Sequence, residues 1–473
     1  MKYFRAPNFF LLATILLLFM APGIWNGFPL IFTDSLSYLT SGLELVAPVD
    51  RPIFYGLLIR ISNIISDLWG VVFLQAVLVI FLLLRFADSL FPDLPKKIVY
   101  LWILVIGIVT SAPWFVSQLS ADIFTSCLFL TMIILVLVCE RASWLNLAFL
   151  GGLIVFEICM HSANVLIGFM LFICILVLSW LQRRSWAHIK KFILIMMASF
   201  IVAITAIVAS NMLFQQGVTF NRWGKVIFLA RVLEDGPGLQ YLNSICQTEN
   251  LNTCLALPLF NEAAQKELDL GLTSDPELKN LVLNALLWDG GINVIGGLSA
   301  VNKEASSVVR GSFKAHPLEM ILAFLNNTLD QLRTFSVGNQ FGSTSQLSAI
   351  NEFFKSNFPN EYQSYIGSQQ YDGRVKGVTS ILNLVYNFCI ISSFFLIFLC
   401  SFYSLKARST KSSVSLVIFS LMGFLISNAM ITGGISAVFD RYQSRVIWLF
   451  PAVSFLWAIE ILWRRYKRPI YDY

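Results

Sequence analysis

Charge is what this sequence has least of. Asp, Glu, Lys and Arg make up 13% of its 473 residues, against about 25% in soluble domains, which excludes an ordinary water-soluble globular enzyme. The motifs of common soluble chemistries are missing as well: there is no phosphate-binding glycine loop or dinucleotide fingerprint, no paired-histidine zinc helix and no serine elbow in a fitting context. The net charge of +6 does not point to nucleic acid, because the basic residues sit in short loops between apolar runs. Those loops are too short and too basic for nucleotide chemistry.

What is present is apolar. Hydrophobic residues make up 57% and aromatics 14% of the chain, the mean hydropathy is +0.73, and many runs reach the roughly 20 residues that cross a bilayer core. The expected fold is an all-α polytopic membrane protein with about ten spans, near 8–27, 68–86, 98–116, 120–139, 144–161, 164–181, 192–213, 377–400, 414–433 and 444–462. Six basic clusters fall on one side of these spans: Lys2/Arg5, Lys96/Lys97, Arg141, Arg183/Arg184/Lys190/Lys191, Lys406/Arg408/Lys411 and Arg464/Arg465/Lys467/Arg468. Lys/Arg excess marks the cytoplasmic side, so both termini are expected inside. The first run reads as an uncleaved span, since apolar character continues through Trp25, Phe28 and Phe32 with no small-residue cleavage site.

Three regions follow. Residues 1–213 hold seven spans and a first outer loop, 28–67, in which 52–66 has the period of an amphipathic interfacial helix: Phe54, Leu57, Leu58, Ile61, Ile64 and Ile65, with Arg60 and Asn63 between them. The same stretch also reads as the start of one long tilted span reaching Arg85. Residues 214–376 are the only sizeable hydrophilic part, with turn signals at 235–238 and 289–291 and helical stretches at 305–315 and 317–333. Their length allows a small core, and apolar residues such as Leu255, Leu257, Phe260, Leu283, Leu286 and Trp288 argue for order. Residues 377–473 hold three spans and a short tail. Six of the eight cysteines fall within spans; Cys246 and Cys254, eight apart in the large loop, are expected to form a disulfide if that loop faces an oxidising compartment. No His lies near them in sequence, so zinc is the weaker reading.

A charge at membrane depth is costly and is a functional hypothesis by default. That filter leaves Asp34 after the first span, Asp122 at the start of the fourth after Gln118 and Ser120, Glu157 and His161 at the end of the fifth, and Asp440, Arg441, Tyr442 and Arg445 before the last. All map to the outer side. Each has a plainer reading: Asp34 and Asp122 as helix N-caps, Glu157 and His161 as a pair four apart satisfying one another, Arg441 and Arg445 as cations snorkelling to lipid phosphates.

An Asp soon after the first span, Tyr38 four residues on, and then Arg51-Pro52-Ile53-Phe54-Tyr55 resemble the GT-C superfamily of membrane glycosyltransferases. The likeness in style is to the protein O-mannosyltransferases and the lipid A aminoarabinose transferase. Asp122 falls where those families place a second acidic residue, and 214–376 where they place a long outer loop after the seventh span. The resemblance covers the seven-span core best and the C-terminal third loosely. It departs where those families often carry two adjacent acidic residues, since Asp34 is followed by Ser35. The run Arg231-Val232-Leu233-Glu234-Asp235-Gly236-Pro237 to Tyr241-Leu242 in the large loop matches no motif of known role.

The resemblance implies a hexosyl- or pentosyltransferase of the bacterial inner membrane, its large loop periplasmic. It would take a sugar from an undecaprenyl-phosphate type of donor to an acceptor that the sequence does not identify. Such transfer needs a base for the acceptor hydroxyl and cations for the leaving phosphate. Asp34, with Asp122, is the expected catalytic pair. Tyr38, Arg51, Glu157, His161, Arg441 and Arg445 are expected to bind donor and phosphate, Arg because its planar fork matches phosphate oxygens. Asp122, Glu157 and His161 also suit a divalent metal, which the sequence leaves open. Tyr38, Phe54, Tyr55, Trp69, Trp114 and Phe115 can line a groove for the lipid tail or form an ordinary aromatic belt. Two other functions compete. A flippase of lipid-linked saccharide would place its ionisable residues at the midplane, not at one face. An O-antigen ligase or polymerase would use Arg and His in a long loop, here Arg231, Arg310, His316 and Arg333.

Overall fold

The computed structural model describes residues 6–214, 217–271, 280–406 and 412–467. Lys2, Arg5, Arg408, Lys411 and Arg468, which entered the orientation argument, lie outside the described residues. Those residues form helices and no strands; the nearest approach to a sheet is one isolated parallel bridge, Leu30 to Gln118.

The first half runs α1 (Ala6–Asn26), α2 (Thr33–Glu44), α3 (Phe54–Ile65), α4 (Trp69–Leu90), α5 (Lys96–Val109), α6 (Ala112–Val116), α7 (Ile123–Val138), α8 (Trp144–Met160), α9 (Ala163–Leu181) and α10 (Trp186–Leu213). Every expected span falls on helix, and α1, α4, α9 and α10 are long and apolar enough to cross a membrane. The spans expected at 98–116, 120–139 and 144–161 fall on shorter pieces: α5 with 14 residues, α7 with 16 and α8 with 17. The reason is visible in α7, which is buried on nearly all sides. A helix enclosed by other helices need not match the bilayer thickness. The irregular backbone of 117–122 before it is also buried, the condition under which non-helical chain is tolerated at membrane depth.

The segment 28–67 holds two helices, α3 where the amphipathic period lies and α2 where the N-cap reading of Asp34 implies one. The stretch 52–66 is α3 and does not continue into α4, because the chain turns at Ser66–Leu68 and the Asp67 carboxylate accepts from the Trp69 N–H at 2.8 Å. Half of the residues of α2 are Ser, Thr or Gly, which have little intrinsic preference for helix. This helix packs against α3 so closely that a Cβ on Gly42 or Gly56 would strike the other helix's backbone. Glycine is what allows this approach.

The second half runs α11 (Gly224–Glu234), α12 (Pro237–Ile245), α13 (Leu257–Leu270), α14 (Leu281–Leu287), α15 (Gly291–Val294), α16 (Leu298–Ala315), α17 (Pro317–Arg333), α18 (Ser348–Asn357), α19 (Pro359–Ile366), α20 (Arg374–Lys406), α21 (Ser412–Thr432), α22 (Asp440–Ile447) and α23 (Leu449–Lys467). Here α20, α21 and the α22–α23 stretch are long and apolar enough to cross, giving seven candidate spans in all among the described residues.

The segment expected as one loop region, 214–376, divides in two. A lobe from Val226 to Val309 has its own core around Leu229, Leu233, Phe260, Leu286 and Val308, joined by Ala437. Cys246 and Cys254 are disulfide-bonded there, Cα atoms 5.5 Å apart. Residues beyond about 335 belong to the main core instead. Phe354 and Tyr365 stack at 4.5 Å and both meet Phe28 edge-on, while Gln370 accepts from Ile31 N–H at 2.9 Å and Asn26 accepts from Gln370 N–H at 2.7 Å. This return segment clamps the chain that leads from α1 into α2.

Two predictions follow from packing and burial. Gly56→Ala is expected to lower the thermal unfolding midpoint in detergent, by an amount equivalent to about 1–3 kcal/mol of overpacking. Gly152→Ala, at a helical glycine with open space around it, should leave the midpoint unchanged or raise it.

In the lobe, Glu234 accepts from the Leu283 N–H at 2.8 Å. Burial, with the neighbouring Glu267 adding to it and Arg231 opposing, pushes its carboxyl from 4.5 up to about 7. A raised folded-state value means this stabilisation is fully present below pH 4.5 and is lost as pH rises through 7. Its upper limit is about 3 kcal/mol. Amide hydrogen exchange in α11 and α14, corrected for the intrinsic pH effect, is therefore expected to quicken from pH 5 to pH 8. Glu234→Gln should flatten that dependence.

Candidate functional site

The bridge between Leu30 and Gln118 is where the site starts. Leu30 N–H donates to Ser117 O and Leu119 N–H to Leu30 O, both at 2.9 Å. Ser35 Oγ accepts from Phe32 N–H at 3.0 Å and donates to Leu119 O at 2.7 Å. These bonds fix the first turn of α2, which carries Asp34, beside the buried segment that ends at Asp122.

Opposite them, α22 brings its arginines. Arg441 Nη1 donates to Asp34 Oδ2 at 2.7 Å and lies 3.9 Å from Asp122 Oδ2. Arg445 Nη1 donates to Asp122 Oδ1 at 2.6 Å and its Nη2 to Asn428 Oδ1 at 3.2 Å. From the first loop, Arg51 Nη2 is 3.2 Å from Asp34 Oδ1 and also pairs with Asp50. Three carboxylates thus face three guanidiniums, and the cluster is neutral as a whole.

Exposure sorts the two layers. The Asp122 and Arg445 side chains are 2% and 0% exposed, whereas Asp34 is 24%, Arg51 14% and Arg441 13% exposed. Aromatic faces wall the outer layer. Arg51 sits 4.9 Å from the Tyr38 ring centre, and Arg441 sits 4.3 Å from Phe32 and 4.9 Å from Tyr442. Tyr38 packs edge-on to Tyr55 at 4.7 Å, and Tyr55 donates to Gln75 at 2.9 Å.

Neither aspartate is the simple helix cap that its position allows. Phe32 occupies the N-cap of α2, so Asp34 lies inside the helix, and Asp122, although at the N-cap of α7, makes no capping bond. Burial alone would raise the Asp34 carboxyl, but the Arg441 and Arg51 guanidiniums outweigh it and hold it well below the usual carboxylate range. Burial raises the Tyr38 phenol, against the pull of Arg51, so it stays neutral. Among the described residues, Arg51 Nη1 and both amide atoms of Gln118 are buried without a hydrogen-bond partner.

Two expected site residues need correction. Glu157 and His161 do not share a helix face, because α8 ends at Met160 and His161 is extended at φ −144°, ψ 126°. Glu157 turns inward: its Oε1 accepts from Thr131 at 2.7 Å and its backbone carbonyl from Asn164 at 2.8 Å. His161 Nδ1 accepts from Ala163 N–H at 3.2 Å and lies within electrostatic reach of Asp122 and the three arginines. Asp122, Glu157 and His161 are not brought together, and no group of three or more His, Cys, Asp or Glu among the described residues is placed to hold a metal. Arg445, fully buried, donates through both Nη atoms to Asp122 and Asn428 and leaves only its Nε without a partner. Ser120, Asn428 and Gln443 complete the inner layer, Ser120 donating to Asp122 Oδ2 at 3.0 Å and Asn428 to Gln443 at 2.9 Å. Asn428 and Gln443 were not legible as site residues.

The loop residues of the ligase reading are not gathered into a site. Arg231 is spent inside the lobe on Asp235 at 2.7 Å and Asn280 at 2.9 Å, His316 is 3.5 Å from Glu319, and Arg333 ends α17 exposed.

Comparison of the chain with protein-family models, with curated proteins and with solved structures returns no match.

Removing one partner of a buried ion pair strands the other charge, at a cost of about 3–5 kcal/mol. Arg445→Met is therefore expected to abolish accumulation of folded protein in the membrane, read by size exclusion of a detergent extract. Arg445→Met combined with Asp122→Leu should recover much of the folded yield.

Proposed function

We propose that this chain is an integral membrane glycosyltransferase of GT-C type, transferring a sugar from a polyprenyl-phosphate donor to an acceptor hydroxyl with Asp34 as general base. The observation that carries the reading is Asp34 held between two partly accessible arginines, one of which, Arg51, keeps a buried donor atom unused. Buried polar groups are nearly always satisfied, so a vacant guanidinium N–H beside an exchangeable carboxylate favours an anionic ligand.

In this reading the donor phosphodiester, with its single negative charge, takes Arg51 and Arg441. The arginines then no longer hold the Asp34 carboxylate so far below its usual range, and it becomes basic enough to act. The acceptor O–H proton passes to Asp34 as the acceptor oxygen bonds to the anomeric carbon. The bond from that carbon to the phosphate oxygen breaks, and its electron pair goes to the phosphate held by the arginines. Attack opposite the leaving group inverts the anomeric carbon. The leaving phosphate is a good leaving group without a general acid, since its second pKa is about 6. Tyr38, Tyr55 and Phe32 supply an apolar wall for the prenyl chain or sugar face. The site then lies at the outer, periplasmic face, with both termini cytoplasmic and a ten-span count that includes the three short helices.

The test is sugar transfer in membranes from a radiolabelled polyprenyl-phosphate sugar, with protein levels matched by blotting. Asp34→Asn is expected to lose 10²–10⁴-fold in rate, the usual range for removing a general base. Arg51→Lys is expected chiefly to raise KM for the donor, because the two-pronged contact is lost. Full activity of Asp34→Asn would sink the mechanism.

A further inference from the structure

One face of α17 has no partner among the described residues. Leu318, Ile321, Leu322, Leu325 and Leu329 are between 48% and 66% exposed, and at about 100° per residue they fall within an arc of about 100°. A second arc, Glu319, Asn326, Asp330 and Arg333, is exposed and polar. The third face is packed against the bundle. Phe324 and Gln331 lie so close to Gly434 and Gly433 that a Cβ on either glycine would strike them, and Asn327 donates to Asp235 at 2.9 Å.

A helix with one face packed, one polar and one apolar suits a boundary between water and hydrocarbon. The adjoining surface says which apolar phase is met. One side of α21, a candidate span, carries exposed Phe419, Met422 and Ile426, and the packed face of α17 meets Gly433 and Gly434, the residues that follow α21. The leucine stripe therefore lies level with the end of a candidate span, where hydrocarbon gives way to water. We propose that α17 lies in the membrane interface with its Leu318–Leu329 stripe immersed in the lipid bilayer, so that the lobe is anchored to the membrane and does not stand free in water.

The anchor bears on the site through one residue. Gln331 Oε1 accepts from the Phe439 N–H at 3.0 Å and Gln331 Nε2 donates to the Phe439 carbonyl at 2.8 Å, immediately before Asp440 and Arg441. The depth of α17 thus sets the height of Arg441 relative to the bilayer surface, whatever anion Arg441 receives. This holds independently of the transferase reading.

The experiment places a nitroxide at 322, 325, 326 or 330 by single cysteine substitution in the full chain. Each variant is reconstituted in phosphatidylethanolamine–phosphatidylglycerol vesicles, and the identically treated unsubstituted protein is subtracted as background. The expected result is that Leu322→Cys and Leu325→Cys labels relax severalfold more with molecular oxygen than with a water-soluble nickel chelate, and that Asn326→Cys and Asp330→Cys labels show the reverse. Two outcomes overturn the proposal. Nickel access at all four positions would put the stripe in water. Low access to both reagents at 322 and 325, with dipolar broadening that vanishes on dilution with unlabelled protein, would make the occupant a second copy of this chain. All four positions are exposed, and a monodisperse elution profile confirms that each variant is folded.

Discussion

Asp122 and Arg445 meet at 2.6 Å where neither reaches water, and much of the site depends on that contact. A lone charge in such surroundings costs several kcal/mol even after relaxation, so the buried segment ending at Asp122 and helix α22 are not free to separate. Fixing α22 also fixes Arg441, one helical turn away. Fixing the segment 117–122 fixes Leu30 and Ser35, and through them the turn that carries Asp34. The site is therefore a consequence of charge compensation across residues more than 300 apart in sequence.

Much of this was legible because membrane depth penalises charge. Asp34, Asp122, Arg441 and Arg445 stood out as charges beside apolar runs and Arg51 through the Arg-Pro-aromatic run, and the structure brings all five together. Asn428, Gln443 and Gln75 did not stand out, since an uncharged amide inside a span incurs too small a penalty to be conspicuous in a single sequence. His161 and Glu157 failed for a geometric reason. A spacing of four implies a shared face only while the helix continues, and α8 ends one residue before His161. The helix α2 was legible only through Asp34 read as the N-cap of a helix starting at Ser35, because half of its residues have no strong local preference for helix and it is stabilised by α3. The residues beyond 335 were grouped with the large loop by their average polarity, although Phe341, Phe354, Phe358 and Tyr365 complete the main core.

In the proposed reaction only one of the two ion pairs takes part. The inner pair, closed off from solvent, cannot exchange Asp122 for an external anion without stranding a buried charge. The outer pair can, because Asp34, Arg51 and Arg441 retain some contact with water and because Arg51 has a donor to spare. An incoming monoanion that takes the two outer arginines leaves the cluster with one negative charge more, which raises the affinity of Asp34 for a proton. Ligand binding and the basicity of Asp34 are then linked through the charge balance of a poorly solvated cluster. In the proposed reaction Asp34 would be a weak base while the site is empty and a stronger one when its arginines are occupied, so that it would accept the acceptor's proton only with a phosphate held there.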